Sequence, residues 1–281
     1  MQTYLEKAEI LIEALPYIRE FNSKIVLIKY GGSAMENEEL KMCVMQDIAL
    51  LKLVGLKPVI VHGGGKDIST MCERLKIKSE FKNGLRISSK EVVEVAELML
   101  YKINKSLVQN LECHGVKAIG ISGKDGFLLD CKKKDENLGF VGDIKKVNEK
   151  ILLDLLEKDF LPIIAPIGMD KNANTYNINA DDVACEIAKA LRAEKLVFLS
   201  DVEGLYENYE DKNSLISKLD IKKAKELTKS TQGGMLVKLK SCIQACESGV
   251  NKIHILDGRL KHSLLLEIFT NKGIGTVITE V

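Results

Sequence analysis

The sequence predicts an α/β fold: a three-layer α-β-α sandwich around a mostly parallel central sheet. Three observations predict it. Short β-branched apolar runs alternate with longer stretches of helical periodicity along the chain. Glycine clusters stand at the exits of two of those runs. The composition over 281 residues, 46% apolar and 29% charged with a net charge of +1, is that of a globular chain with enough apolar residues to cover a sheet on both faces.

Taken in order, the first 20 residues precede any strand. Leu5, Ala8, Ile12 and Leu15 make an apolar stripe at 3/4 spacing, which predicts a helix that Pro16 ends or kinks. Strands are expected at KIVLIKY (24–30), KPVIVH (57–62), VKAIGIS (116–122), FLPIIAP (160–166), KLVFLS (195–200), NKIHIL (251–256) and GTVITEV (275–281). Helices are expected over 36–54, 66–76, 89–113, 148–158, 181–192, 220–229, 234–248 and 262–270. Residues 126–143 break this alternation. Two short apolar runs flank a charged stretch containing Asn and Gly, which predicts a β-hairpin inserted into the α/β core. One large domain or two lobes both fit this length, and the best boundary falls near 190–200. It divides the chain into an N-terminal helix (1–22), an N-terminal lobe (23–193) and a C-terminal lobe (194–281).

Several function classes are excluded. Forty-one basic against 40 acidic side chains leave no global field for nucleic acid or an anionic membrane. No apolar run approaches the ~18 residues that span a bilayer. Glu6, Glu9 and Glu13 interrupt the N-terminal apolar residues, unlike the unbroken apolar run of a secretory signal, so a cytoplasmic location is expected. The cysteines at 43, 72, 113, 131, 185, 242 and 246 contain no C-x-x-C pair. They read as small core residues of a reducing compartment, although Cys242 and Cys246 share a helical face. The histidines at 62, 114, 254 and 262 have no metal-ligand spacing, and neither H-E-x-x-H nor G-x-S-x-G occurs.

In open α/β sheets, ligands bind beyond the carboxyl ends of the strands. The first strand leaves through Lys29-Tyr30-Gly31-Gly32-Ser33 and the second through His62-Gly63-Gly64-Gly65. Each can close on an anion, and each is equally a tight turn where no Cβ fits. Neither GGGKDIS (63–69) nor ISGKDG (121–126) is a P-loop. Lys29, near the end of an apolar strand, needs an acidic or phosphoryl partner. Lys238 follows Gly233-Gly234-Met235 at a helix start; it faces an anion there or is simply solvated. YNINADD (176–182) places Asn177, Asn179 and Asp181 at another helix start, as caps or as ligands.

Taken together, IKYGGSAM (28–35), VIVHGGG (59–65), KNGLR (82–86), ISGKDG (121–126), PIGMD (166–170), YNINADD (176–182), LVFLSDVEGLY (196–206), GGMLVK (233–238) and HSLLLEIFTNKGIGT (262–276) resemble the amino acid kinase family. The NGLR and NINAD segments, in this order, resemble the members that phosphorylate N-acetyl-L-glutamate rather than aspartate, glutamate, carbamate or UMP. Two departures, ISS after NGLR and LVK before the lysine, remove no charged functional position. The resemblance implies transfer of the ATP γ-phosphoryl group to the substrate's side-chain carboxylate, the second step of arginine biosynthesis. Mg²⁺ would arrive on the ATP phosphates, without a protein metal cage.

By the same resemblance, Lys29 and Lys238 stabilise the transition state and Asp181 holds both lysines. Gly31 and Gly32 line the phosphate path, while Gly64, Gly65, Arg86 and Asn177 bind the acetylated substrate, Arg86 at its α-carboxylate. Members inhibited by L-arginine carry an N-terminal helix and a C-terminal segment like 262–276, which implies feedback control and a homohexamer built as a trimer of dimers. Glu267 would meet the arginine guanidinium, with Lys195, His262 and the Gly273–Gly275 loop nearby. Two alternatives stay open: another enzyme of the family acting on glutamate, aspartate or UMP, and a catalytically silent arginine-sensing protein.

Overall fold

The computed structural model describes residues 2–35, 37–208, 210–229, 231, 233–270 and 273–279. In chain order these form α1 (Gln2–Glu13), α2 (Leu15–Phe21), β1 (Ile25–Tyr30), α3 (Glu38–Leu53), β2 (Lys57–His62), α4 (Gly65–Arg74), β3 (Glu80–Lys82), β4 (Leu85–Ile87), α5 (Lys90–Cys113) and β5 (Ala118–Ser122). There follow β6 (Leu129–Lys133), β7 (Gly142–Val147), α6 (Glu149–Glu157), β8 (Leu161–Ala165), β9 (Ile167–Met169), β10 (Thr175–Asn177), α7 (Ala180–Ala190) and β11 (Lys195–Ser200). The chain ends with β12 (Leu205–Tyr206), β13 (Leu215–Ile216), β14 (Lys218–Asp220), α8 (Ile221–Leu227), α9 (Gly233–Glu247), β15 (Lys252–Asp257), α10 (Ser263–Ile268) and β16 (Thr276–Thr279).

All seven expected strands join one eight-stranded sheet, in the order β14-β16-β15-β11-β1-β2-β8-β5. From β5 to β15 every neighbouring pair is parallel, and β16 runs antiparallel to β15. β1 lies near the middle, and its side chains alternate between two apolar layers. Leu27 packs with Val59 and Phe198 against α7 and α9, while Val26 and Ile28 pack with Ile60 and Val197 against α3, α5 and α10. This is the expected three-layer sandwich. The last expected strand is seen over Thr276–Thr279; Glu280 and Val281 lie outside the described residues, as does Met1 of the expected N-terminal helix.

Pro16 acts as the sequence requires: α1 ends at Glu13, and α2 begins with Pro16 in its first turn. On α1 and at the start of α2, Leu5, Ile12 and Leu15 are 61%, 68% and 49% exposed, so the apolar stripe is not covered by its own chain. Six cysteines are buried, Cys113 is exposed, and all seven are free thiols. Among the described residues no helix is long and apolar enough to cross a membrane.

The expected hairpin is β6–β7, displaced a few residues toward the C-terminus and broken by a bulge at Asp130/Cys131. It belongs to a second sheet, β10-β9-β6-β7. The β9–β10 half of that sheet, the β3–β4 hairpin and the short β12–β13 pair were not anticipated, because strands of two or three residues are too short to show alternation. The turn of the β6–β7 hairpin is tied to the residue following β4: Ser88 N–H donates to Leu138 O at 3.0 Å, and Phe140 N–H donates to Ser88 O at 2.7 Å. Gly139 between them has φ +68° and ψ −126°, and a Cβ there would stand 2.4 Å from Ser88 O. Gly139→Ala should therefore destabilise the fold by about 1–3 kcal/mol. Urea unfolding measures this, and an unchanged midpoint would refute the tie.

Candidate active site

β1 and β2 deliver their carboxyl ends side by side at the middle of the sheet, with Lys29 paired to Val61 and Tyr30 to His62. The two glycine turns then pack backbone to backbone: a Cβ on Gly63 would lie 3.7 Å from the Gly31 Cα. A Cβ on Gly31 would meet the Lys29 ammonium at 2.8 Å, so the glycine leaves room for that nitrogen.

Lys29 Nζ lies 3.0 Å from Asp181 Oδ1. Lys238 Nζ, arriving from the first turns of α9, lies 2.6 Å from Asp181 Oδ2 and 4.6 Å from the centroid of the Phe198 ring. Asp181 is the second residue of α7. The Asn179 cap fixes the start of that helix, its Oδ1 accepting from the N–H groups of Asp181 at 2.8 Å and Asp182 at 3.3 Å. Burial alone would raise the Asp181 carboxyl, but Lys29 and Lys238 outweigh it and hold the group well below the usual carboxylate range. It is an anion at neutral pH and a poor proton acceptor. What it does is seat two ammonium groups close together.

Two cavities meet at this triad. The larger, of about 880 Å³, is lined by Lys29, Gly32, Asp181 and Lys238 together with residues from Leu199 to Met235, Asp201 among them. The smaller, of about 250 Å³, is lined by residues between 29 and 181, among them Gly31, Gly32, Gly64, Gly65, Arg86 and Asn177. Lys29, Gly32 and Asp181 belong to both walls. Gly64 caps α4 and Gly65 begins it, so the positive end of that helix opens on the smaller cavity.

Arg86 stacks its guanidinium 4.5 Å over Phe81. It donates to Ser79 Oγ at 2.5 Å, Gly65 O at 2.6 Å and Ser69 Oγ at 2.8 Å. Three of its five N–H groups are thus engaged, which aims the side chain and leaves two for a ligand. Asn177 donates to Ser88 Oγ at 3.3 Å.

The structure divides the other candidates. Glu267 faces His254 Nδ1 at 2.6 Å, accepts from Ile274 N–H at 2.9 Å, and has Gly273 against its carboxylate. Burial works against the Glu267 anion, but His254 and its other partners outweigh it and hold the carboxyl below its ordinary value. Lys195 is buried, its ammonium 4.3 Å over the Phe21 ring, and it exerts a charge interaction on Glu267. Gly275 packs against the Ile255 carbonyl. His262 turns elsewhere, its Nδ1 2.6 Å from Asp47 of α3, whose carboxyl burial raises to about 6 against the opposing pull of His262.

Sequence reasoning missed the groups that hold these side chains: Ser69, Ser79 and Phe81 around Arg86, and His254 beside Glu267. Nothing in their spacing marks them, because each is brought in by tertiary packing. It also missed Asp182, which accepts from Lys134 at 3.0 Å and Ser241 at 3.1 Å next to the triad.

The profile of the amino acid kinase family matches residues 24–257, a span holding β1, both glycine turns and all three members of the triad. The chain belongs to the amino acid kinase family. Within that family it is 75% identical over 278 residues to the acetylglutamate kinase of Campylobacter jejuni (strain RM1221), a match covering 99% of this chain and 100% of the relative. It is 54% identical over 277 residues to the acetylglutamate kinase of Caldanaerobacter subterraneus subsp. tengcongensis, covering 97% of this chain and 93% of the relative. Among solved structures it resembles N-acetylglutamate synthase from Neisseria gonorrhoeae in fold, with a TM-score of 0.87 at 24% identity. That match takes in 98% of this chain and spans 63% of the other.

A carboxyl group whose folded-state pKa is depressed stabilises the fold above its unfolded value, and the contribution fades as pH falls toward the folded value. Asp181→Asn should therefore lie furthest below the wild type in stability near neutral pH, with the gap narrowing below about pH 4. Urea melts from pH 7 to 2.5 test this. A gap independent of pH would show that the lysines do not hold the carboxylate.

Proposed function

We propose that this chain transfers the γ-phosphoryl group of ATP to the side-chain carboxylate of N-acetyl-L-glutamate, the second step of arginine biosynthesis. The observation that carries the reading is the meeting of a large and a small cavity at a carboxylate that seats two lysines. The likeness to acetylglutamate kinases over the whole chain supports the choice of acceptor. In this reading, residues 194–281 supply most of the nucleotide wall and residues 23–193 the acceptor wall, and the enzyme works in the cytoplasm.

The acceptor carboxylate, with a pKa of ~4.3, is ionised at neutral pH, so no general base is required. The task is to bring two anions together and neutralise the charge on the transferring group. Lys29, arriving from the N-terminal lobe, and Lys238, arriving from the C-terminal lobe, do this side by side, while Asp181 keeps them positioned. Gly31, Gly32 and Gly64 line the phosphoryl path with backbone N–H groups. Arg86 takes the α-carboxylate by its charge and a remaining N–H, and Asn177 and Gly65 meet the acetylamino end. Mg²⁺ neutralises phosphate charge when bound; phosphate oxygens and water would hold it, with Asp201 on the wall of the larger cavity.

Feedback by L-arginine and a homohexamer built as a trimer of dimers belong to the same proposal. Supporting them are the uncovered apolar stripe of α1 and the buried Glu267 with Lys195 nearby, which offer one group of each sign to an amino acid.

A hydroxamate assay with ATP and N-acetylglutamate tests the activity. In Lys238→Ala, kcat should fall about 10²–10³-fold with folding retained; near-normal turnover would remove the lysine from its role. Deleting residues 1–20 should reduce the assembly to dimers and weaken arginine inhibition. Light scattering that still reports a hexamer would overturn the role of α1.

A further inference from the structure

His62 ends β2 just before the glycines of the acceptor site, yet its side chain is fully buried and lines neither cavity. Its neighbours define its protonation. Nδ1 lies 2.8 Å from the Gly63 carbonyl oxygen, which can only accept, so Nδ1 carries the proton. Nε2 lies 3.2 Å from Asn104 Nδ2. Two carbonyls, Ile163 O at 2.9 Å and Ile121 O at 3.4 Å, also face that atom and mark it as the NH₂ group, whose two N–H bonds are shared among three acceptors and whose nitrogen cannot accept from the ring. Nε2 is therefore the bare acceptor. Burial pushes the imidazole down to about 4 against the opposing effect of the Gly63 bond, so the ring is neutral in working conditions. Asn104 fits only because residue 120 is glycine, where a Cβ would stand 1.8 Å from Asn104 Oδ1.

The consequence reaches the site through one peptide group. A trans peptide directs its carbonyl and the following N–H to opposite sides. His62 holds the Gly63 carbonyl on the buried side, and the Gly63 N–H is fixed to Tyr30 O of β1 at 2.7 Å. The Gly64 N–H is thereby turned away from the imidazole, toward the smaller cavity that Gly64 lines, and it has no backbone acceptor among the described residues.

We infer that His62 is a positioning residue: the series Gly120, Asn104, His62 and Gly63, in which the Asn104 and His62 side chains are buried, aims the Gly64 N–H at the oxygen that gains charge during phosphoryl transfer. The inference rests on the kinase reading above and assigns a task to side chains that touch no substrate.

Neutron diffraction from the deuterated full-length protein locates the imidazole proton without reference to activity. The expected result is a proton on Nδ1 and a bare Nε2; a proton on Nε2 alone overturns the inference. Kinetics supply the second arm. His62→Leu cannot hold the Gly63 carbonyl and should lose about 10²-fold in kcat, with KM for ATP within about 2-fold of wild type. His62→Asn keeps an N–H near the Nδ1 position and should recover most of that loss. Equal kcat in the two folded variants overturns the inference; if His62→Leu does not fold, the proton position decides. Wild-type turnover of N-acetylglutamate tests the kinase reading separately, so the two failures are distinguishable.

Discussion

The structure depends on one buried anion. Asp181 is drawn from the start of α7, Lys29 from the central strand and Lys238 from α9, and the three meet where the two cavities join, with side chains only 10–15% exposed. Removing one partner from such a buried arrangement typically costs about 3–5 kcal/mol, because the remaining charge is left uncompensated. The carboxylate is supported from behind as well. It sits in the first turn of a helix capped by Asn179, where the peptide dipoles favour negative charge. The same arrangement that makes the anion tolerable puts two cations beside one another, a juxtaposition that would repel without it.

Around this centre the chemistry is divided between backbone and side chains. Glycine turns at the ends of β1 and β2 let main-chain groups approach closely, and long cationic side chains reach in from the flanks. Three of the four histidines have defined partners away from the reacting groups: His62 with Asn104 and Gly63, His254 with Glu267, and His262 with Asp47. A reaction that begins with an ionised carboxylate does not need them as bases.

Much of this was legible in the sequence, for physical reasons. The central strands are runs such as KIVLIKY, buried on both faces, and no other structure satisfies them so simply. Lys29 stood out because a charge at the end of such a run needs a partner, and the structure supplies Asp181. Asn179 acts as the cap that its position suggested. The second sheet was only half visible, because the three-residue strands β9 and β10 take their form from neighbours rather than from their own pattern. Arg86 was named, but the serines and the aromatic ring that aim it lie up to 17 residues away in the chain and carry no local signal. His62 sat within a quoted motif, yet its importance becomes visible only when Asn104, 42 residues later, is seen against it.

The distribution of thiols has a practical meaning. Cys185 and Cys242 lie packed between α7 and α9, close to the lysine-bearing face, while Cys113 alone among the seven looks outward, at the far end of α5. A maleimide dye added to the native protein would attach at that one point, remote in sequence from the triad. The molecule thus carries a ready-made handle for fluorescence or surface immobilisation without any engineering of its interior.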